Sequence, residues 1–281
     1  TFDLPFQYDF EHYELNETGK YQVFFEETQG TALFKQYIWA SGNSGFALTG
    51  VGRNPQEYPT VSIENGIDGS RAIKLETKST GQFGETVKMP IAAGNLFLGS
   101  FDVNNAVQKP LKATLFGLPF GKKPLKFKGY YKYVPGTQSF KAKDKNGNTV
   151  TISRQEDEGD IYAVLYEAAG LDGKVLDGNN VLTSKNIVAL ARVEVEKTDR
   201  YIEFETSFQY GERKEISWPQ FIYRDPSDDG TGKYLPFKEE KMKNYEYNLA
   251  VVFTSSKYGA YFAGSVGSTL CIDKVEIVCE K

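Results

Sequence analysis

Any side-chain chemistry in this chain falls to carboxylates. The sequence holds a single histidine, His12, which removes most serine-histidine-aspartate arrangements and most zinc sites, because both draw on imidazole. His12 stands beside Glu11 where a strand gives way to a loop, a common place for a surface histidine, and it is assigned no role. Glu203 and Glu205 alternate on one stretch, which puts their Cα atoms about 6.5 to 7 Å apart. Glycosidase carboxylates must flank the scissile bond from opposite sides, whereas two neighbours on one strand reach a ligand from the same side. Asp225, Asp228 and Asp229 suit either a calcium loop or a solvated turn. Gly232-Lys233 lacks the upstream glycine of a phosphate-binding loop.

The most telling acid is Asp273, inside the Val- and Ile-rich run that closes the chain. Strict alternation places Cys271, Asp273, Val275, Ile277 and Cys279 on one face and Lys274, Glu276 and Glu280 on the solvated one. A carboxylate among apolar neighbours costs several kcal/mol unless it is paired, hydrogen-bonded or metal-bound. Asp273 therefore needs a partner, either the backbone of a turn or a hard cation such as calcium. The two cysteines lie roughly 26 Å apart on an unbroken strand, too far for a disulfide, so two free thiols are expected.

Binding chemistry has more candidates. Trp39 stands at a loop edge where it could stack on a sugar ring, with Asn43 and Arg53 close in sequence to supply hydrogen bonds; it could equally cap the core. Tyr130 and Lys132 face away from Phe127, Tyr131 and Tyr133 and offer an aromatic and a cation. Trp218 is the second tryptophan of two. Tyr201, Glu203 and Glu205 form a polar row that fits a sugar-binding sheet surface or any wet sheet face.

The elements that must position these residues read as strands. Aromatics make up 14% of the 281 residues, and 27 glycines supply turns, a mix that favours sheets. Ile161 to Tyr166 is apolar on both faces, as in a central strand covered on two sides. Lys143 to Asn148 marks a hairpin tip, Arg154 to Asp160 a charged loop, and Asp172-Gly173 and Asp177-Gly178 a surface loop. More than ten short strands with little helical periodicity predict an all-β fold, a β-sandwich of jelly-roll type. It spans 1–281 as a single domain, with surface-loop insertions near 136–160 and 224–243. With Lys+Arg 33 against Asp+Glu 37 and no basic run, a nucleic-acid partner is not expected. No apolar run is long enough to cross a membrane as a helix.

Six stretches in order extend across most of the chain: Trp39-Ala40-Ser41-Gly42-Asn43, Ala93 to Gly99, Gly129 to Tyr133, Tyr162 to Tyr166, Ser255 to Gly259, and Gly267 to Asp273. In these the chain resembles the putative carbohydrate metabolism domain family of Bacteroidetes surface proteins. The resemblance implies a jelly roll akin to carbohydrate-binding modules, on exported and often lipid-anchored proteins of the cell surface that handle glycans. It also implies a structural calcium shared by an acidic residue near the first strand and an aspartate on the last, here Glu11 and Asp273. The expectation is a non-catalytic glycan-binding module, with Trp39, Tyr130 or Trp218 stacking on sugar and Asn43, Arg53, Glu203 or Glu205 hydrogen-bonding it. The alternatives are a carboxylate glycoside hydrolase and a surface scaffold or adhesin that contacts protein.

Overall fold

The closing strand, Thr269–Cys279, runs through the middle of a sheet and is paired over nearly its whole length with Pro124–Val134. Ile202–Ser207 extends the sheet beyond that partner, and Ala72–Glu76 and Thr60–Ile63 extend it on the other side, while Gln7–Tyr8 pairs with the far half of the closing strand. A second, larger sheet runs in the order Leu176–Asp177, Thr114–Phe116, Asn95–Phe101, Tyr247–Thr254, Asp160–Glu167, Ile187–Val193 and Gln209–Tyr210. All these pairings are antiparallel, and the two sheets face each other as a jelly-roll-like β-sandwich. The structure, a computed structural model, describes residues 3–28, 34–169 and 174–281; the expected Asp172-Gly173 turn lies outside them. No helix among the described residues is long and apolar enough to cross a membrane.

Alternation explains which side chains meet. Ile73, Leu75, Phe127, Tyr131, Leu270 and Ile272 of the smaller sheet pack against Leu165, Val188, Leu249, Val251 and Phe253 of the larger one. Fully burying one such side chain contributes about 1.5–3 kcal/mol. The larger sheet is covered on its outer face as well, where Phe97, Phe116, Tyr162, Val164, Leu190 and Val252 form a second cluster. That double cover is why Asp160–Glu167 is buried along almost its entire length.

Two of the breaks in simple alternation bear on the expected site residues. Against Pro124–Val134, Lys128 pairs with Glu276 and Tyr130 with Asp273, so the closing strand carries one residue more over this step. Lys274 absorbs it in the left-handed region, at φ 47°, as a β-bulge does. Leu270 and Ile272 point into the core before the bulge, and Val275 and Ile277 after it. Asp273 therefore lies on the opposite face from Val275 and Ile277, contrary to the alternation expected. The stretch 201–210 likewise does not stay in one sheet. Ile202–Ser207 pairs in the smaller sheet, Phe208 donates its N–H to Leu125 O at 2.9 Å, and Gln209–Tyr210 joins the larger sheet beside Ile187–Val193.

Lys141–Lys143 and Thr149–Thr151 form the expected hairpin, whose turn is closed by Asp144 Oδ1 accepting from the Asn146 and Asn148 N–H groups. The loop after it is not simply solvated, because Asp157 and Asp160 are both buried.

Candidate functional site

On the outer face of the larger sheet lies a cavity of about 210 Å³. Its polar end is lined by Asp160, Arg192, Trp218, Lys257, Tyr258 and Tyr261. Tyr162 and Arg192 stand directly opposite each other on neighbouring strands, and Asp160, two residues before Tyr162, shares their face. The Arg192 guanidinium grips the Asp160 carboxylate with two bonds, Nε to Oδ1 at 3.1 Å and Nη2 to Oδ2 at 2.7 Å. It also sits 5.8 Å from the centroid of the Tyr162 ring. Burial works against the charge on Arg192, yet the adjoining Asp160 outweighs it and raises the guanidinium pKa.

Trp218 is half-buried at this end. Tyr261 meets it edge-on at 6.1 Å, Tyr258 lies tilted at 6.3 Å, and the Arg224 guanidinium covers the indole 4.7 Å from the ring centroid. Arg224 is itself fixed by Asp229, at 2.7 and 2.6 Å, so Asp229 is an ion-pair partner within a turn. An aromatic wall with fixed, bidentate polar groups beside it is suited to a sugar, which presents apolar C–H faces and hydroxyl edges. Asp157, close by in sequence, is closed off: its Oδ2 accepts from Ser256 Oγ at 2.6 Å, Ser268 Oγ at 2.7 Å and Ser265 N at 2.9 Å. Burial raises its pKa, and its hydrogen bonds tie the 255–268 loop to the strand start. A second depression of about 510 Å³, over Gly99, Gly117 and Asn248, has neither tryptophan nor arginine in its lining.

Of the residues expected to bind, only Trp218 reaches this cavity. Trp39 is 7% exposed and belongs to the core between the sheets, with its indole N–H bonded to Glu26 Oε1 at 3.1 Å; it is not a stacking platform. Asn43, 1% exposed, spends its amide on the protein itself: it donates to Gln22 O and Thr60 O and accepts from Thr60 N. It therefore has no face to offer a ligand. Arg53 is exposed on a separate loop. Tyr130, Glu203 and Glu205 share the outer face of the smaller sheet, Tyr130 opposite Glu203, with Glu205 3.5 Å from Lys126 and 3.9 Å from Lys128. They form a wet charged ladder on the other sheet from the cavity.

Asp273, 0% exposed, is satisfied by the 66–71 turn. Its Oδ2 accepts from Ile67 N at 2.8 Å and Ser70 Oγ at 2.7 Å, and its Oδ1 from Lys274 N at 2.8 Å. Gly66 is required there, since a Cβ would stand 2.6 Å from Asp273 Oδ2. Glu11 reaches the same turn, accepting from Arg71 N at 3.0 Å. The expected pair thus meets at one turn, but through N–H and O–H donors. Calcium takes six to eight oxygens, and no cluster of three or more acidic, histidine or cysteine side chains fit for a metal occurs among the described residues. This donor set satisfies the Asp273 carboxylate through hydrogen bonds alone. Both cysteines are free thiols.

Arg192 and Asp160 were the signals that sequence reasoning passed over. An arginine inside the apolar run 187–193 and an aspartate opening the apolar run 160–166 are each costly to bury alone, and each is the other's partner.

The model of the putative carbohydrate metabolism domain family matches residues 9–278. A solved structure named as a putative glycoside hydrolase from Bacteroides thetaiotaomicron aligns with 40% identity and a TM-score of 0.81, over 100% of this chain and 72% of that one. Another of the same description from Bacteroides vulgatus aligns with 34% identity and a TM-score of 0.78, over 100% of both chains. A family 11 carbohydrate-binding module of a Clostridium thermocellum cellulase aligns over 79% of this chain and 81% of that one, with 10% identity and a TM-score of 0.34, too distant to carry an argument. No curated protein matches the chain.

Proposed function

The chain belongs to the putative carbohydrate metabolism domain family, and from that premise we propose that it is a non-catalytic glycan-binding module of the cell surface or exterior, with the cavity over the larger sheet as its sugar site. The observation that carries this reading is the composition of the polar end. Trp218, Tyr258 and Tyr261 supply apolar ring surface, Arg192, Lys257 and the tyrosine hydroxyls supply hydrogen bonds, and Asp160 is the one carboxylate among the lining residues. Glycoside hydrolysis by the two-carboxylate route needs a second acid within about 5–9.5 Å across the scissile bond. Asp160 is engaged by Arg192, and Asp157 is enclosed by serines.

The names given to the two Bacteroides structures favour hydrolysis as the second reading. A glycan array followed by titration of any hit, with a reducing-sugar assay on the same glycan, separates the two. The expected result is binding that Trp218→Ala weakens at least 30-fold without unfolding the chain, with no sugar released. Release of reducing ends that Asp160→Asn abolishes would establish the hydrolase instead.

A further inference from the structure

The cavity is not uniform along its length, and this bears on what it holds. Away from Trp218 it runs beneath two short helices, Asn43–Ala47 and Gly81–Thr86, and its lining there is apolar: Phe46, Leu48, Phe83, Val87, Met89 and Phe101. Three of its polar side chains are already engaged. Thr49 Oγ1 donates to Phe46 O at 2.7 Å and accepts from Val51 N, Thr80 Oγ1 donates to Met89 O at 2.5 Å, and Asn95 Oδ1 accepts from Gly42 N at 2.6 Å. A polysaccharide lying along the whole cavity would turn most of its hydroxyls toward carbon with few partners to replace water, which is unfavourable. Leu48 and Phe83 are nevertheless left 46% and 37% exposed at its rim, large apolar groups for which the fold has no internal use.

Building on the glycan reading above, we infer that the ligand is an amphiphilic glycoside, a sugar held at the Trp218 end whose apolar substituent, an acyl, alkyl or aryl group, lies between Phe83, Met89 and Phe101. The two halves belong to one cavity, so a single molecule with a polar head and an apolar arm matches both linings. A free oligosaccharide matches only one.

The test is isothermal titration of the full chain with n-octyl and methyl glucoside, galactoside and mannoside below the micellar range, with 1-octanol as the sugarless control. For the sugar that binds, the octyl glycoside is expected to bind at least tenfold more tightly than the methyl one. The double variant Leu48→Ser, Phe83→Ser changes two exposed side chains and should keep the parent melting temperature. It is expected to lose that margin while keeping the methyl glycoside affinity. Equal affinity for the octyl and methyl glycosides overturns the inference and leaves the glycan reading standing. So does 1-octanol binding as tightly as the octyl glycoside. Failure of every glycoside here, together with a blank glycan array, overturns both.

Discussion

The two tryptophans stand in similar company and do opposite work. Trp39 is packed among Tyr8, Phe10 and Phe253 and bonds a carboxylate, Glu26. Trp218 is packed among Tyr258 and Tyr261 and stacks with Arg224. The first lies between the sheets, so its ring is consumed by the core. The second lies outside the larger sheet, where loops cover the surface without filling it, and one side of its environment stays open. The polar partner also differs in kind. Glu26 is buried so deeply that its pKa is pushed up to about 7, burial outweighing hydrogen bonds from Trp39 and the Asp9 amide. Arg224 keeps its charge, balanced by Asp229, so the outer cluster is fixed without depending on pH near neutrality.

Removing each ring separates the two roles most directly. Trp39→Ala should cost about 3–5 kcal/mol of stability, the usual range for deleting a core aromatic, read as a shift in the urea midpoint. A change of less than about 1 kcal/mol would mean that the Trp39 pocket collapses or fills with water. Next in size is the pH dependence at Glu26. Its folded pKa is raised from 4.5 to about 7, so the stability it allows is fully present below about pH 4.5 and is lost as pH climbs through 7. The linkage amounts to on the order of 3 kcal/mol. Denaturant titrations at pH 4.5 and pH 8 should show that loss, and Glu26→Gln should remove most of it; an unchanged slope in the variant would place the titrating group elsewhere.

Trp218→Ala reverses the pattern of Trp39. Stability should fall by less than about 2 kcal/mol, while glycan affinity falls by at least 2 kcal/mol, the scale of an anchoring aromatic. An unchanged dissociation constant would sink the site assignment. At Asp273, Asn substitution should cost about 1–3 kcal/mol through its buried hydrogen bonds, and calcium or a chelator should leave the melting temperature of the parent protein where it was. A rise with calcium would show that the 66–71 turn can reorganise around a cation. Smallest of all, Glu203→Gln and Glu205→Gln should stay within about 0.5 kcal/mol and leave binding intact, because the ladder they belong to lies on the other sheet.

Much of the fold was readable. The alternation around Ile73 and Leu75, the doubly apolar 161–166 run and the glycine-punctuated turns identify strands and their inner faces, because period two and turn chemistry are local properties. The site was readable only in fragments. Trp218 was a candidate, but so was Trp39, and both have aromatic neighbours within the same chain. The need of Asp273 for a partner is legible from its apolar neighbours, but its face is not, since the bulge at Lys274 adds one residue that no local pattern announces.

Residue types and short-range spacing carry the element type, the all-β class, the need to satisfy Asp273 and the poverty of imidazole chemistry. Tertiary structure alone decided that Arg192 meets Asp160, that Asn43 is a brace between Gln22 and Thr60, and that the 201–210 stretch divides between two sheets. It also decided which tryptophan stays open. The reason is physical: exposure and pairing depend on what arrives from distant parts of the chain, and in a sandwich a strand's partners can lie a hundred residues away.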